Sequence, residues 1–575
     1  MNLDFRNTNA LWCSVAAETL ARAGLRHAVI SPGSRNTPLT MALVAHPQIE
    51  TTPVLDERSA AFFALGIAKR TREPVLLLCT SGSAGANYFP AVVEAKESGT
   101  PLLVVTADRP PELRDSASGQ TIDQQKLFGS FVDFYHELAV PEPRVELLKY
   151  LRQTLRHAFE RAREGGPVHL NAPFRDPLPP TENDTAKPLA AAVGWEAFFA
   201  QPPAPAAEYP QKLSLPPDFV SKRGVVIAGV GFDDGACAAE HAAGFGWPLL
   251  ADAISGARLR LTTRATVVAG YDAILRDERA AEALRPEVVV IFGDVPTSKV
   301  LRAWLARIDA PTLHFTPQEG NRDAGHGRTR RIRARAEEMD RAPLVFRGAP
   351  PEWEQAWARA EAAAQGVLAR AEAEAGFEGA FTRAVAETLT IRQSLFVASS
   401  MPVRDLEYFA PVRRDGPRVF ANRGANGIDG TLSTALGLAH GGEAAVLLTG
   451  DLAFLHDTNG LLVAAKLSGS LTVVLINNAG GGIFGHLPVA KFDPPFEEYW
   501  ATPQRVEIAT LCAAYSVPHR VVVTPEELRA ALRAQVGEPG LRVLEVKTDR
   551  ARDVATRRRL FEAAAQAVGA VLSTG

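Results

Sequence analysis

Apolar segments of strand length alternate with helix-like patterns along most of this chain, and that alternation restricts it to a narrow set of architectures. HAVI (27–30), VLLLCT (75–80), LLVVTA (102–107), GVVIAGV (224–230), EVVVIFG (287–293), LFVASS (395–400), AAVLLTG (444–450) and LTVVLINN (471–478) are each followed within a few residues by Gly, Ser, Asp or Asn and then a helical stretch. Continuous runs rich in Val, Ile and Leu suit strands covered on both faces. The chain therefore reads as α/β, built from βα units with mostly parallel strands flanked by helices. Ligands of such sheets bind beyond the carboxyl ends of the strands.

A chain of 575 residues exceeds one ordinary core, and usual domain sizes point to about three. Composition marks two seams. Residues 173–217, from PFRDPLPP through PPAPAAEYPQKLSLPP, carry too much proline for a helix or a central strand and read as an extended linker. A second change runs from Arg341 through GAPPEWEQAW into Ala/Glu/Arg-rich helical patterns near 353–373. The expected domains are 1–185, a central α/β domain at 186–345, and 346–575, the first and last having similar βα texture.

Lys plus Arg is 62 and Asp plus Glu is 65, a net charge of -3, so no global field draws the chain to nucleic acid or an anionic membrane. The basic cluster RTRRIRARAEE (328–338) has no interleaved aromatics and suits a solvated helix face. The longest apolar runs are too short for a membrane span, and MNLDFRNTNALW has no secretory pattern. Cys13, Cys79, Cys237 and Cys512 form no CxxC pair and are expected as buried thiols in a reducing cytoplasm. GVGFDDG (229–235) gives no secure dinucleotide fingerprint.

The segment LTGDLAFLHD (448–457) sets Asp451 directly after an apolar run and a glycine, and the next strand ends in Asn477 and Asn478 before AGGGIFGHLP. A lone GD often caps a helix, and NN before AGGG often makes a turn. Together, 27 residues apart, Asp451 and Asn478 can stand at neighbouring strand ends. There, one carboxylate, one amide oxygen, a backbone carbonyl, water and phosphate oxygens could complete an octahedral Mg²⁺ shell. This pair resembles the motif of the thiamin diphosphate enzyme family. The resemblance implies metal ligands Asp451, Asn478 and the Gly480 carbonyl, holding Mg²⁺, or Mn²⁺ in its place, on the cofactor's diphosphate. Leu452 stands where the family most often has glycine, so the diphosphate turn is expected to differ slightly.

The same resemblance gives Glu57, in PVLDERSAAFFALGIAK, the role of the acid that activates the cofactor's pyrimidine; on its own Glu57 reads equally as an acid favoured by a helix N-terminus. Asp56 is expected to cap or salt-link. Ile428, in ANRGANGIDG, matches the apolar wedge under the bent cofactor, though composition alone makes it core. Because the metal motif and Glu57 lie far apart in the chain, the family's plan implies a homo-oligomer with active sites at a dimer interface, as a dimer or tetramer.

SPGSRNTPL (31–39), TADRPPELRD (106–115), GQTIDQ (119–124), SSMPVRDLE (399–407), FANRGANGIDGTLSTALG (420–437) and NNAGGGIFGHLP (477–488) narrow the match. They resemble, from end to end, the branch of that family that decarboxylates 2-oxoglutarate and adds the four-carbon remainder to isochorismate in menaquinone biosynthesis. Those substrates bring four carboxylates, and guanidinium forks suit those that remain. Arg35, Arg109, Arg404 and Arg423 match the branch's substrate pocket, as do Ser34, Gln120, Ser400, Ile483, Phe484 and Leu487. Ile483 and Phe484 are also expected beside the cofactor, and Ser34 and Gln120 near the developing charge. Arg404 and Ser400 are assigned to the succinyl end. Lys299 matches a basic position facing the pocket, with Val300 where relatives can carry a second basic residue. His486 need not take part in the chemistry and reads equally as structural. The rival within the family is a simpler 2-oxoacid decarboxylase or carboligase, with less use for these arginines and possible FAD in the centre; outside it, a noncatalytic binding protein.

Overall fold

The computed structural model describes residues 3–200, 222–233, 235–339 and 349–573. It contains three six-stranded sheets, and every strand pair in them is parallel. By contacts the described residues form two compact units. The first draws on Met1–Ala206, Asn422–Gly442 and His456–Gly469, the second on Ala207–Ala421, Glu443–Leu455 and Ser470–Gly575.

Sheet one belongs to the first unit and comprises β1 (His27–Ile30), β2 (Glu50–Pro53), β3 (Val75–Cys79), β4 (Leu102–Asp108), β5 (Phe134–Glu137) and β6 (Pro167–Pro173), in the order β2-β1-β3-β4-β6-β5. Its central strands are buried on both faces, as their unbroken apolar runs require. Ala28, Ile30, Leu76, Leu78, Leu103 and Val105 join the core formed with helices Thr8–Ala23 and Val145–Arg163. The alternate residues Val29, Leu77 and Val104 are equally buried and point to the opposite face, where helix Glu57–Thr71 packs.

Helix Glu57–Thr71 also packs on helix Thr431–Ala439, and two glycines permit the close approach. A Cβ on Gly66 would lie 2.0 Å from the Thr434 carbonyl oxygen, and one on Gly437 would lie 1.9 Å from that of Phe63. Since Phe62 meets Gly430 while Gly66 meets Thr434 and Leu438, the helices run parallel. The start of each therefore lies at the same end, and with it Glu57 and Ile428. Gly437→Ala is expected to destabilise the fold by about 1–3 kcal/mol through overpacking, read as a lower denaturation midpoint at unchanged m.

Sheet two, in the second unit, comprises β7 (Gly224–Ala228), β8 (Leu249–Ala251), β9 (Val267–Val268), β10 (Val288–Phe292), β11 (Thr312–Thr316) and β12 (Thr329–Arg333), ordered β12-β11-β10-β7-β8-β9. Sheet three comprises β13 (Ser394–Val397), β14 (Arg418–Phe420), β15 (Ala445–Gly450), β16 (Ser470–Asn477), β17 (His519–Val521) and β18 (Gly540–Lys547), ordered β14-β13-β15-β16-β18-β17. Rank for rank this is the order of sheet one, which gives the similar texture of the two ends a topological basis. The order reverses around β13, and the crevice between the ends of β13 and β15 is where such a sheet takes a ligand.

Two local expectations need correction. The proline-rich stretch is not wholly extended: Lys187–Ala192 and Trp195–Phe199 are helical, and Trp195, Phe198 and Phe199 enter the first core. Pro188 sits in the first turn, where its missing N–H costs nothing. Residues 201–217 of that stretch, and the seam at 345, lie outside the described residues. The basic segment 328–338 supplies the edge strand β12 rather than a helix face; only Ala336–Met339 is helical. A row of arginines on an edge strand discourages pairing with another chain.

Candidate active site

Asp451 begins the helix Asp451–His456 at the end of β15, and Asn478 follows the last residue of the adjacent β16. The two motif residues thus stand at neighbouring carboxyl ends. Gly480 N–H donates to Asp451 Oδ2 at 2.8 Å. Gly480 has φ +134°, and a Cβ there would lie 2.3 Å from the Ala501 carbonyl oxygen, so glycine is required. The paired asparagines divide the work. Asn477 accepts from Ala479 N–H at 3.2 Å and donates to Glu545 at 2.7 Å, which shapes the turn. Asn478 is buried, and its Oδ1 has no hydrogen-bond partner among the described residues.

These features fit a bound cation. Asp451 is 5 % exposed, and burial pushes its carboxyl up to about 6, a rise that backbone N–H groups and the Arg550 charge offset only in part. Asn478 Oδ1 is a buried acceptor awaiting a donor or a metal. The described residues contain no group of three or more His, Cys, Asp or Glu that could hold a metal; a cation here depends on further oxygens, such as those of a diphosphate. Leu452 is not among the residues with positive φ, so this turn needs no glycine at that position.

Beside this site, in the same unit, lies a cavity of about 900 Å³ lined by Lys299, Arg404, Ile483 and Leu487 together with Arg276, Arg307, Tyr408 and His486. Four expected substrate residues therefore meet in one space. Ser400 stands just before the helix Met401–Phe409 with φ 74°, a conformation costly for serine and typical of functional sites. Its carbonyl accepts from Arg404 Nη1 at 2.6 Å, which aims the guanidinium. Phe484 lies on the turn Gly482–His486 with its ring against Gly481 and is not among the cavity-lining residues. Burial and the charges of Arg557, Arg558, Arg276 and Arg404 lower His486 to about 4. Its Nε2 accepts from Arg557 Nη1 at 2.9 Å, which fixes the ring at the cavity wall.

In the first unit, Arg35, Arg109 and Gln120 gather at the carboxyl edge of sheet one. Arg109 donates to Ser81 Oγ, and Gln120 Nε2 to the Ser81 carbonyl at 3.1 Å. Arg35 N–H donates to Thr80 Oγ1 at 3.3 Å. Burial first, and then the Arg35 charge, lower the Arg109 pKa, with Asp108 and Asp176 partly offsetting them: two cations are held close together, and Asp176 lies 3.7 Å from Arg35. Ser34 precedes Arg35 and is exposed. Glu57 is half-buried in the first turn of its helix. Asp56 caps that helix, accepting from Arg58 N–H at 2.8 Å and Ser59 N–H at 3.3 Å, as expected. A largely apolar cavity of about 660 Å³ opens at the ends of β1 and β2, lined by Pro32, Gly33, Val54, Asp56 and Leu462 among others. Arg423 and Ile428 stand on one loop, pinned by the buried Glu94, which accepts from Gly424 N–H at 3.1 Å and Ala425 N–H at 2.7 Å.

Sequence reasoning missed Glu94, Ser81, Arg276 and Arg307. Only Arg307 left a signal: with Lys299 and Ala303 it recurs every four residues along the helix Lys299–Ile308, one face of which lines the larger cavity.

Comparison with known proteins matches this arrangement. Residues 14–127 match a model described as thiamine pyrophosphate enzyme, N-terminal TPP binding domain; residues 199–397 match the middle domain of thiamine pyrophosphate; and residues 405–546 match the C-terminal TPP binding domain. A benzoylformate decarboxylase structure from Polynucleobacter necessarius shares the fold, with TM-score 0.66 at 16% identity over 94% of this chain and 98% of that one. The fold and the three matched domains define a thiamin diphosphate enzyme. The 2-succinyl-5-enolpyruvyl-6-hydroxy-3-cyclohexene-1-carboxylate synthase of Microcystis aeruginosa is 45% identical over 96% of this chain and 98% of its own length, and that of Nostoc sp. 45% identical over 97% and 98%. The chain belongs to the 2-succinyl-5-enolpyruvyl-6-hydroxy-3-cyclohexene-1-carboxylate synthase family.

Proposed function

We propose that this protein decarboxylates 2-oxoglutarate and adds the remaining four-carbon unit to isochorismate, releasing CO₂, as the menaquinone-pathway synthase. The full-length identity to synthases carries the reading; the orphaned Asn478 Oδ1 beside the buried Asp451 supports the cofactor's place in it. Asp451, Asn478 and the Gly480 carbonyl would hold Mg²⁺ or Mn²⁺. Thiamin diphosphate, when bound, supplies the carbon nucleophile and the electron sink for loss of CO₂. Glu57 holds a proton at the pyrimidine nitrogen, and Ile428 with Ile483 and Phe484 presses on the cofactor's body. Arg404, oriented by Ser400 and joined by Lys299, pairs with the distal carboxylate of 2-oxoglutarate. Arg35, Arg109, Gln120, Ser34 and Arg423 take the carboxylates and hydroxyl of isochorismate, and Leu487 closes the apolar side.

No described helix is long and apolar enough to cross a membrane, and the four cysteines are buried and form no disulfide, which suits the cytoplasmic placement we propose. We also propose a homodimer, or a tetramer of such dimers, with active sites between copies; the exposed Met41, Val44 and Leu55 support a partnered surface. The deciding experiment supplies Mg²⁺, thiamin diphosphate and 2-oxoglutarate, then isochorismate. The condensed adduct is expected; abundant free succinic semialdehyde without adduct rejects the synthase reading in favour of a simple decarboxylase. Arg404→Lys loses the forked geometry and is expected to raise the KM for 2-oxoglutarate by about 10-fold or more, with a smaller change in kcat.

A further inference from the structure

An asparagine amide has two ends of nearly equal shape and opposite chemistry: the oxygen can bind a cation, and the NH₂ group cannot. At Asn478 the choice is made by Glu378, a residue 100 positions away in sequence. Glu378 Oε2 accepts from Asn478 Nδ2 at 3.2 Å. Its Oε1 accepts from Arg557 Nη2 at 2.5 Å, and its own N–H donates to Asp553 Oδ1 at 3.2 Å. Arg557 is fixed in turn by two bonds to Asp405, each 2.9 Å. Glu378, Asp405 and Arg557 are 3 %, 1 % and 1 % exposed, so these bonds are shielded from bulk solvent. A carboxylate only accepts, so Asn478 must offer it the NH₂ end, and that leaves Oδ1 buried without a partner among the described residues.

We propose that Glu378 is a positioning residue that locks the Asn478 side-chain oxygen toward the cofactor's metal, with Arg557 holding Glu378 in place. The inference rests on Asn478 being a metal ligand. It follows the general rule that groups behind the ligands set their orientation. A purely structural role for Glu378, as a counter-ion to Arg557, makes a different prediction for metal binding.

The test measures Mn²⁺ affinity at pH 7.5 in the presence of thiamin diphosphate, by titration calorimetry, on the full-length protein. In Glu378→Gln the new amide keeps its oxygen on Arg557 and turns its NH₂ toward Asn478. Asn478 must then flip, and affinity is expected to fall by about 10- to 100-fold. Asp405→Asn weakens the same buried ion pairs without touching Asn478 and should change affinity much less. Adding Asn478→Asp to Glu378→Gln supplies an oxygen at both ends, so binding should return toward the wild-type value. This double variant satisfies every hydrogen bond, and its affinity alone decides the matter if the single variant does not fold. Wild-type affinity in Glu378→Gln, an equal loss in Asp405→Asn, or no recovery in the double variant each overturns the proposal. Asn478→Ala separates the two layers: unchanged Mn²⁺ binding there removes the ligand reading itself, whereas a loss there with none in Glu378→Gln removes only the positioning role.

Discussion

Glu57→Gln should lower kcat for adduct formation by about 10²- to 10⁴-fold, the range in which a positioned acid or base contributes. Glutamine has the shape of the acid and can still hydrogen-bond, but it has no proton to share with the pyrimidine nitrogen. The surroundings favour a strong effect: Glu57 is half-buried in the first turn of its helix, beside fully buried Cys79 and Tyr88. Burial first, and to a lesser degree the Glu57 charge, raise the pKa of both neighbours above the usual range, so both stay protonated. The fold should not suffer, because Asp56 rather than Glu57 caps the helix. Steady-state assays with both substrates, alongside a thermal melt, check this. Turnover near the wild-type value would remove Glu57 from the mechanism.

What the sequence made legible follows a physical line. Strands such as Leu102–Asp108 and Ser470–Asn477 are buried along nearly their whole length, so their apolar runs are unbroken and visible without a structure. Asp451 and Asn478 could be paired because both residues sit at the ends of such strands. The arginines proposed for the substrate were singled out through resemblance alone; nothing local in the sequence separates Arg109 from any other arginine. The Glu378–Arg557–Asp405 cluster could not be seen at all. Its members are up to 179 residues apart in sequence, and each, taken singly, reads as a solvated charge. Segment 328–338 misled for a related reason, since charge on an edge strand and charge on a helix face have the same composition.

Asp451→Asn should cost Mn²⁺ affinity, measured with thiamin diphosphate present, on the order of 10²-fold, because affinity for a hard divalent cation scales with the charge of its ligands. The amide retains the acceptor for Gly480 N–H, so the turn survives and the loss reports on charge. A second signature comes from pH. Burial holds the Asp451 carboxyl at about 6, above its ordinary 3.8. Without metal, the folded state therefore keeps a proton there that the unfolded chain has released. Between about pH 4 and 6 the native state binds more protons than the unfolded one, so the metal-free protein loses stability as pH rises through that window. Metal binding must expel the same proton. Wild-type affinity should accordingly weaken by about tenfold for each pH unit below 6 and level off above it, while the asparagine variant loses this dependence. A wild-type affinity that is flat from pH 5 to 7 would mean that the cation does not sit on Asp451.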